Sequence, residues 1–172
     1  MVKALVWVAI LLATAGRARA GELIDHVLAV AAGDLIMLSD VRAALELGMV
    51  TADGAADPVR AALSSLIDRS LMLDEVNRYA PPQPASSEID RALADMRARF
   101  DSTQTFDRAL LSVGLDEERL RETLLQNLRL RAYLAQRFTA DTPEGVRAAI
   151  DEWLSGLRRR ADIVDLYAAR AR

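Results

Sequence analysis

Few side chains in this sequence have the type and spacing to do covalent chemistry. His26 is the only histidine and there is no cysteine. His26 follows Asp25, but a histidine base needs a nucleophile and oxyanion donors, and no motif supplies them. It reads as a surface or half-buried histidine. One histidine without cysteine also leaves a zinc or other transition-metal site without its usual donors. The acidic runs Asp74-Glu75 and Asp116-Glu117-Glu118 hold adjacent carboxylates, which point apart on a helix, and the second run lies where a helix N-terminus favours negative charge. Gly33 and Gly114 stand alone in turn and cap positions, so nothing resembles a phosphate-cradling loop. Arg158-Arg159-Arg160, with Arg170 and Arg172, is the only basic cluster, and its place at a helix end gives it a structural role. The sequence therefore predicts no catalytic residue, no cofactor and no metal site.

The chain has 172 residues, 52% hydrophobic and 27% charged, enough for one domain with its own core. Residues 1–20 read as a secretory signal peptide: Lys3 is a minimal positive segment, residues 4–15 are apolar, and Ala18-Arg19-Ala20 is a small-x-small cleavage site, with Ala13-Thr14-Ala15 as a second candidate. The apolar run is too short for the roughly 20 residues of a spanning helix, so no transmembrane segment is expected after cleavage. Losing Lys3, Arg17 and Arg19 takes the net charge from −3 to −6, a poor starting point for nucleic-acid binding. Export without cysteine means a fold held by packing alone, and fits a bacterial periplasm.

Residues 21–172 are expected to form a single, mainly α domain organised around a helix over 63–76. Its first half carries a core-facing stripe, Leu63, Leu66 and Ile67; further on, Leu71, Met72, Leu73 and Val76 point to nearly every side, so neighbours must surround it. Asp57-Pro58 starts this helix and Tyr79-Ala80-Pro81-Pro82 stops it. Before it, residues 27–31 and 35–38 read as a hairpin turning at Gly33-Asp34, apolar on both faces, followed by a short helix capped by Ser39 and ended by Gly48. After it, Pro81-Pro82-Gln83-Pro84 is a stiff spacer rather than a Pro-x-x-Pro ligand. Ser86 or Ser87 caps a helix carrying Ile89, Leu93, Met96 and Phe100. Asp101-Ser102-Thr103 opens another with Phe106, Leu110 and Val113, ended by Gly114. Asp116 starts what reads as the longest helix, to about Phe138, and Thr142-Pro143-Glu144 caps the last. Residues 163–167 read as a strand, the natural third strand for the hairpin, which would bring the two ends of the mature chain together.

The apolar residues Met49, Met72, Met96, Phe100, Phe106, Leu110 and Tyr133 exceed what one small sheet and a central helix obviously need. Methionine-rich apolar surfaces suit adaptable binding. Of these, Met96, Phe100, Phe106, Leu110 and Tyr133 are the candidate client-binding residues, in a cradle between the long helix and the lobe of residues 88–113.

The order of elements also carries a resemblance. The hairpin running into Ser39, Leu66-Ile67-Asp68-Arg69 with Leu71 and Glu75-Val76, Ser87-Glu88-Ile89-Asp90 through Arg99-Phe100, Phe106 to Gly114-Leu115, and the long arginine-rich helix together resemble the N-terminal chaperone region of the SurA family. Trp153-Leu154, Leu157-Arg158 and Arg160-Ala161-Asp162-Ile163 resemble that family's C-terminal helix and strand. The resemblance implies a SurA-like helical core in which residues 21–138 and 142–172 form one unit closed by a small antiparallel sheet. In that family one or two parvulin-type prolyl isomerase domains lie between the two parts; here only Thr139-Ala140-Asp141 does. It implies a periplasmic, ATP-independent holdase for unfolded outer-membrane or exported proteins, without isomerase activity. The alternatives are a non-catalytic adaptor with one folded partner and, behind it, a prolyl isomerase of unfamiliar construction.

Overall fold

The computed structural model describes residues 25–167; the segment read as a signal peptide lies outside them, as do Arg170 and Arg172. Among the described residues the fold is mainly helical, with six helices and a small antiparallel sheet of three strands. The strands are β1 (Val27–Ala31), β2 (Asp34–Met37) and β3 (Ile163–Asp165). The helices are α1 (Leu38–Glu46), α2 (Pro58–Tyr79), α3 (Ser86–Arg97), α4 (Thr103–Ser112), α5 (Glu117–Arg137) and α6 (Pro143–Arg160).

The sheet order is β2-β1-β3, with Val30 of β1 opposite Leu35 on one side and Val164 on the other. The last described strand thus closes onto the first, as the orphaned hairpin required. It is shorter than expected, because Leu166 and Tyr167 turn out of the strand and the Tyr167 hydroxyl donates to Asp57 Oδ2 at 2.9 Å. The hairpin turns at Ala32-Gly33, not Gly33-Asp34: Ala31 and Asp34 pair across it, and both loop residues have positive φ, 51° and 82°. That is the twist a two-residue hairpin needs.

Two helix starts also differ from expectation. The position before α1 is Met37, whose N–H donates to Asp40 Oδ2 at 2.8 Å. Ser39 lies inside the helix, and both its N–H and its hydroxyl donate to the Asp25 carboxylate. The position before α3 is Ala85, whose N–H donates to Glu88 Oε2 at 2.9 Å. In both cases an acid in the first turn does the capping that a serine was expected to do. The expected caps Asp57, Ser102, Asp116 and Thr142 each accept from the amide three residues on.

Helix α2, at 22 residues, exceeds α5 by one, and it packs against both strands of the hairpin, α1, α5 and α6. Its neighbours divide the interior. Leu63, Ile67 and Leu71 join Leu28, Ala29, Ile36, Val41 and Leu157 beneath the sheet. Leu73 and Val76 face α5 instead, meeting Leu130 and Tyr133. A separate core lies off α2 altogether: Leu47, Leu93, Met96, Phe106, Leu110, Leu120 and Leu124 pack among α3, α4 and the first half of α5. The broad apolar arc of α5 therefore serves two cores in turn.

Candidate functional site

Of the five residues singled out as a client surface, Met96, Phe106 and Leu110 are core residues at 5%, 0% and 6% exposure. Phe100 is half-buried against them, its ring edge-on to Phe106 at 5.3 Å. Tyr133, also buried, belongs to a different cluster with Tyr79, Trp153 and Phe138 nearby. Arg137 closes that cluster, its guanidinium carbon 5.6–5.8 Å from all four ring centres. The structure thus brings four of the five together, as packing rather than as an open face. Between α5 and α3 lies a cleft of about 160 Å³ bordered by Asp95, Arg99, Asn127 and Arg131.

A larger cavity of about 300 Å³ opens at the seam between the two principal cores. One wall is the free edge of β2, at Asp34, Leu35 and Ile36; the others come from α1 (Ala43, Ala44), the loop after it (Met49, Val50), α2 (Leu66, Leu73) and α5 with the residue preceding its cap (Thr123, Asn127, Leu115). Local sequence accounts for this placement. Gly48, at φ 60°, ends α1 and turns the chain so that Met49 and Val50 reach the cavity. The hairpin is apolar on both faces, and only one face meets α2, so Leu35 is left 61% exposed while its neighbour Ile36 is buried.

The polar groups of the cavity are already engaged. Arg69 Nε donates to Asn127 Oδ1 at 2.8 Å, with its Nη2 directed toward the Thr123 carbonyl at 3.5 Å. Burial lowers the pKa of this guanidinium, an effect opposed by the nearby Asp34 carboxylate. Asp34 Oδ2 lies 3.1 Å from Ser70 Oγ, which is also 3.0 Å from the Ala31 carbonyl; the two acceptors share one hydroxyl proton. Burial raises the Asp40 carboxyl above the ordinary aspartate value, outweighing the bond it accepts from the Met37 amide. A second Arg–Asn bond runs the opposite way between the helices, from Arg129 Nη1 of α5 to Asn77 Oδ1 of α2 at 3.0 Å. Such a seam can take an apolar group without asking it to neutralise a charge.

Leu35, Arg69 and Asn127 were not among the sequence candidates, and Met49 was named only among the surplus apolar residues. The two-faced hairpin was the signal for Leu35; a half-buried arginine on α2 leaves no trace in a hydrophobic pattern. His26 is exposed and Arg158 is tied to Asp68 and Ser64 of α2. Among the described residues no group of three or more His, Cys, Asp or Glu could hold a metal, and no helix is long and apolar enough to cross a membrane. No family model matches the chain, and no curated protein matches it.

Proposed function

We propose that this chain is a periplasmic, ATP-independent holdase that captures unfolded exported polypeptides, outer-membrane proteins among them, in the seam between its two cores. The observation that carries the reading is the open apolar cavity of about 300 Å³ bordered by a free strand edge with Leu35 exposed. Concave apolar sites with a few placed polar groups are where proteins bind ligands. The apparent signal peptide, the absence of cysteine and the SurA-like order of elements support the same reading. The binding surface proposed is this seam, not Met96, Phe106 and Leu110, whose side chains a client could reach only by unfolding α3 and α4.

A second reading, an adaptor for one folded partner, is favoured by how little large apolar surface stands fully open: Leu35 and Val164 flank Val30 on one face of the sheet, and Tyr79 and Leu111 lie on separate helices. The experiment that separates the two is dilution of a urea-unfolded outer-membrane barrel protein with and without residues 21–172. A holdase keeps the barrel protein soluble at near-stoichiometric amounts. A folded, helical chain that leaves its aggregation unchanged refutes the holdase and favours the adaptor.

A further inference from the structure

In a two-residue hairpin the residues flanking the loop exchange both of their backbone hydrogen bonds, and the next pair exchanges none. Here Ala31 and Asp34 flank the loop and Val30 and Leu35 are the next pair. The Val30 N–H and C=O therefore turn toward β3, where Val164 is the partner, and those of Leu35 turn to the open edge. The next outward N–H along β2, that of Met37, is taken by Asp40. Leu35 thus offers one donor and one acceptor, spaced for a strand, at the lip of the cavity.

We infer that this edge and cavity form one site that binds an extended polypeptide segment by strand addition, with the segment pairing with Leu35 and placing an apolar side chain between α1, α2 and α5. The inference rests on the holdase reading for its biological client but states a mode of binding that can be tested by itself. Backbone bonds supply affinity and the pocket reads alternate side chains, the division of labour in strand-addition sites. A residue paired with Leu35 would share its outward direction, so its two neighbours in the segment would point inward, on the face shared by Asp34 and Ile36. Both of these line the cavity.

The occupant follows from the bonding already made. Arg69 is engaged by Asn127, Asp34 by Ser70 and Asp40 by Met37. These partners are neutral, so the bonds satisfy the polar atoms without cancelling the charges, and a charged segment would have to be desolvated to enter. A neutral segment with alternating apolar residues carries what the site lacks, namely an apolar side chain and a peptide unit to match the unpaired edge. Capping of Met37 by Asp40 confines the pairing to a short stretch, which limits grip on any one sequence.

The probe is a labelled peptide of alternating leucine and threonine, measured by fluorescence anisotropy on residues 21–172. Leu35→Pro deletes the outward N–H, and proline is tolerated at an edge where that N–H is unused by the sheet. Leu35→Thr keeps the N–H and removes the exposed side chain. Strand addition predicts that Leu35→Pro weakens binding about tenfold, the size of one hydrogen bond, and that Leu35→Thr, which loses apolar lining but keeps the strand edge, weakens it clearly less. Equal losses in both variants would overturn the inference in favour of side-chain capture. Should Leu35→Pro lose its helical circular dichroism, the same question goes to the unaltered protein with a peptide N-methylated at alternate amides, which must bind about tenfold more weakly than the plain peptide; equal affinity overturns the inference. Sedimentation provides a further arm: a self-associated parent that Leu35→Pro makes monomeric would show the edge to be filled by a second copy, again overturning it. The parent suppressing barrel-protein aggregation while N-methylation changes nothing defeats strand addition and leaves the holdase standing. Backbone-dependent peptide binding without aggregation suppression does the reverse.

Discussion

Replacing Phe106 by alanine should destabilise the protein by about 4 kcal/mol, within the ~3–5 kcal/mol range for a buried phenylalanine truncated to alanine. Phe106 is wholly buried, at 0% exposure, in the core built by α3, α4 and α5. Its ring meets Phe100 edge-on at a centroid separation of 5.3 Å and an interplanar angle of 72°. Such a pair contributes about 0.5–1.5 kcal/mol beyond burial. The Arg97 guanidinium carbon lies 5.4 Å from the ring centre, a contact of about 0.5–1 kcal/mol when solvent-accessible. Both contacts are lost with the ring and belong inside the 4 kcal/mol rather than on top of it. In urea, with a slope of about 2 kcal/mol per M for a small domain, the unfolding midpoint should fall by about 2 M. The assay is equilibrium unfolding followed by helical circular dichroism, alongside client binding measured well below the variant's transition. The expected outcome is a large midpoint shift with client affinity per folded molecule unchanged. A midpoint within about 0.5 M of the parent, together with lost client binding, would refute the reasoning and return Phe106 to the binding surface.

Two further perturbations address the sheet and its anchor. Ala32 holds a left-handed φ of 51° in the hairpin turn, a conformation that costs an ordinary L-residue about 1–2 kcal/mol; Ala32→Asn, which makes the turn Asn-Gly, should raise the urea midpoint by about 0.3–0.5 M, and a lowered midpoint would contradict the turn geometry. The Asp25 carboxyl is pulled up by desolvation but held on balance below its ordinary value by the Ser39 hydroxyl and the His26 and Ser39 amides; a depressed carboxylate adds stability above its unfolded pKa that is lost as pH falls through the folded one, so Asp25→Asn should flatten the loss of stability below about pH 4, and an acid arm as steep as the parent's would refute the assignment.

The elements of this fold were legible because their boundaries are local chemistry. Asp57-Pro58, Ser102, Asp116 and Thr142 are side chains that bond their own helix, and Gly48 and Gly114 are positions where the backbone must turn left-handed. The third strand was legible for a different reason: a two-faced apolar hairpin cannot stand alone, and residues 163–167 were the only strand left to cover its edge. The misplaced caps at Ser39 and Ser86 or Ser87 were choices between a serine and an acid three residues from a cap position; tertiary contact with Asp25 decided the first. The candidate binding residues were illegible in principle. Ile89, Leu93, Met96, Phe100, Phe106 and Leu110 make good amphipathic stripes, and a stripe states that a face is apolar without stating whether a helix, a client or water lies against it. Surplus apolar residues seen from a single sheet and helix became an ordinary second core once α3, α4 and the first half of α5 were found to pack on each other.

That second core has a consequence for how the proposed site would work. Two cores bridged by α2 and α5 leave a seam that neither fills; at the cavity the bridge is the polar Arg69–Asn127 bond, and further along the two helices Leu73 and Val76 pack on Leu130 and Tyr133 beside the Arg129–Asn77 bond. A segment bound there gains the burial of about one large side chain, roughly 1.5–3 kcal/mol, and two backbone bonds of about 0.5–1.5 kcal/mol each. Against this stand the losses of association and of ordering the segment, which are of similar or greater size. One contact of this kind is therefore weak and short-lived. An unfolded chain offers many such segments in succession, and rebinding of a neighbour at high effective concentration holds the chain without tightening any single contact. On the holdase reading, release would need no nucleotide, because each contact is short-lived and a client that folds would withdraw its segments from the site.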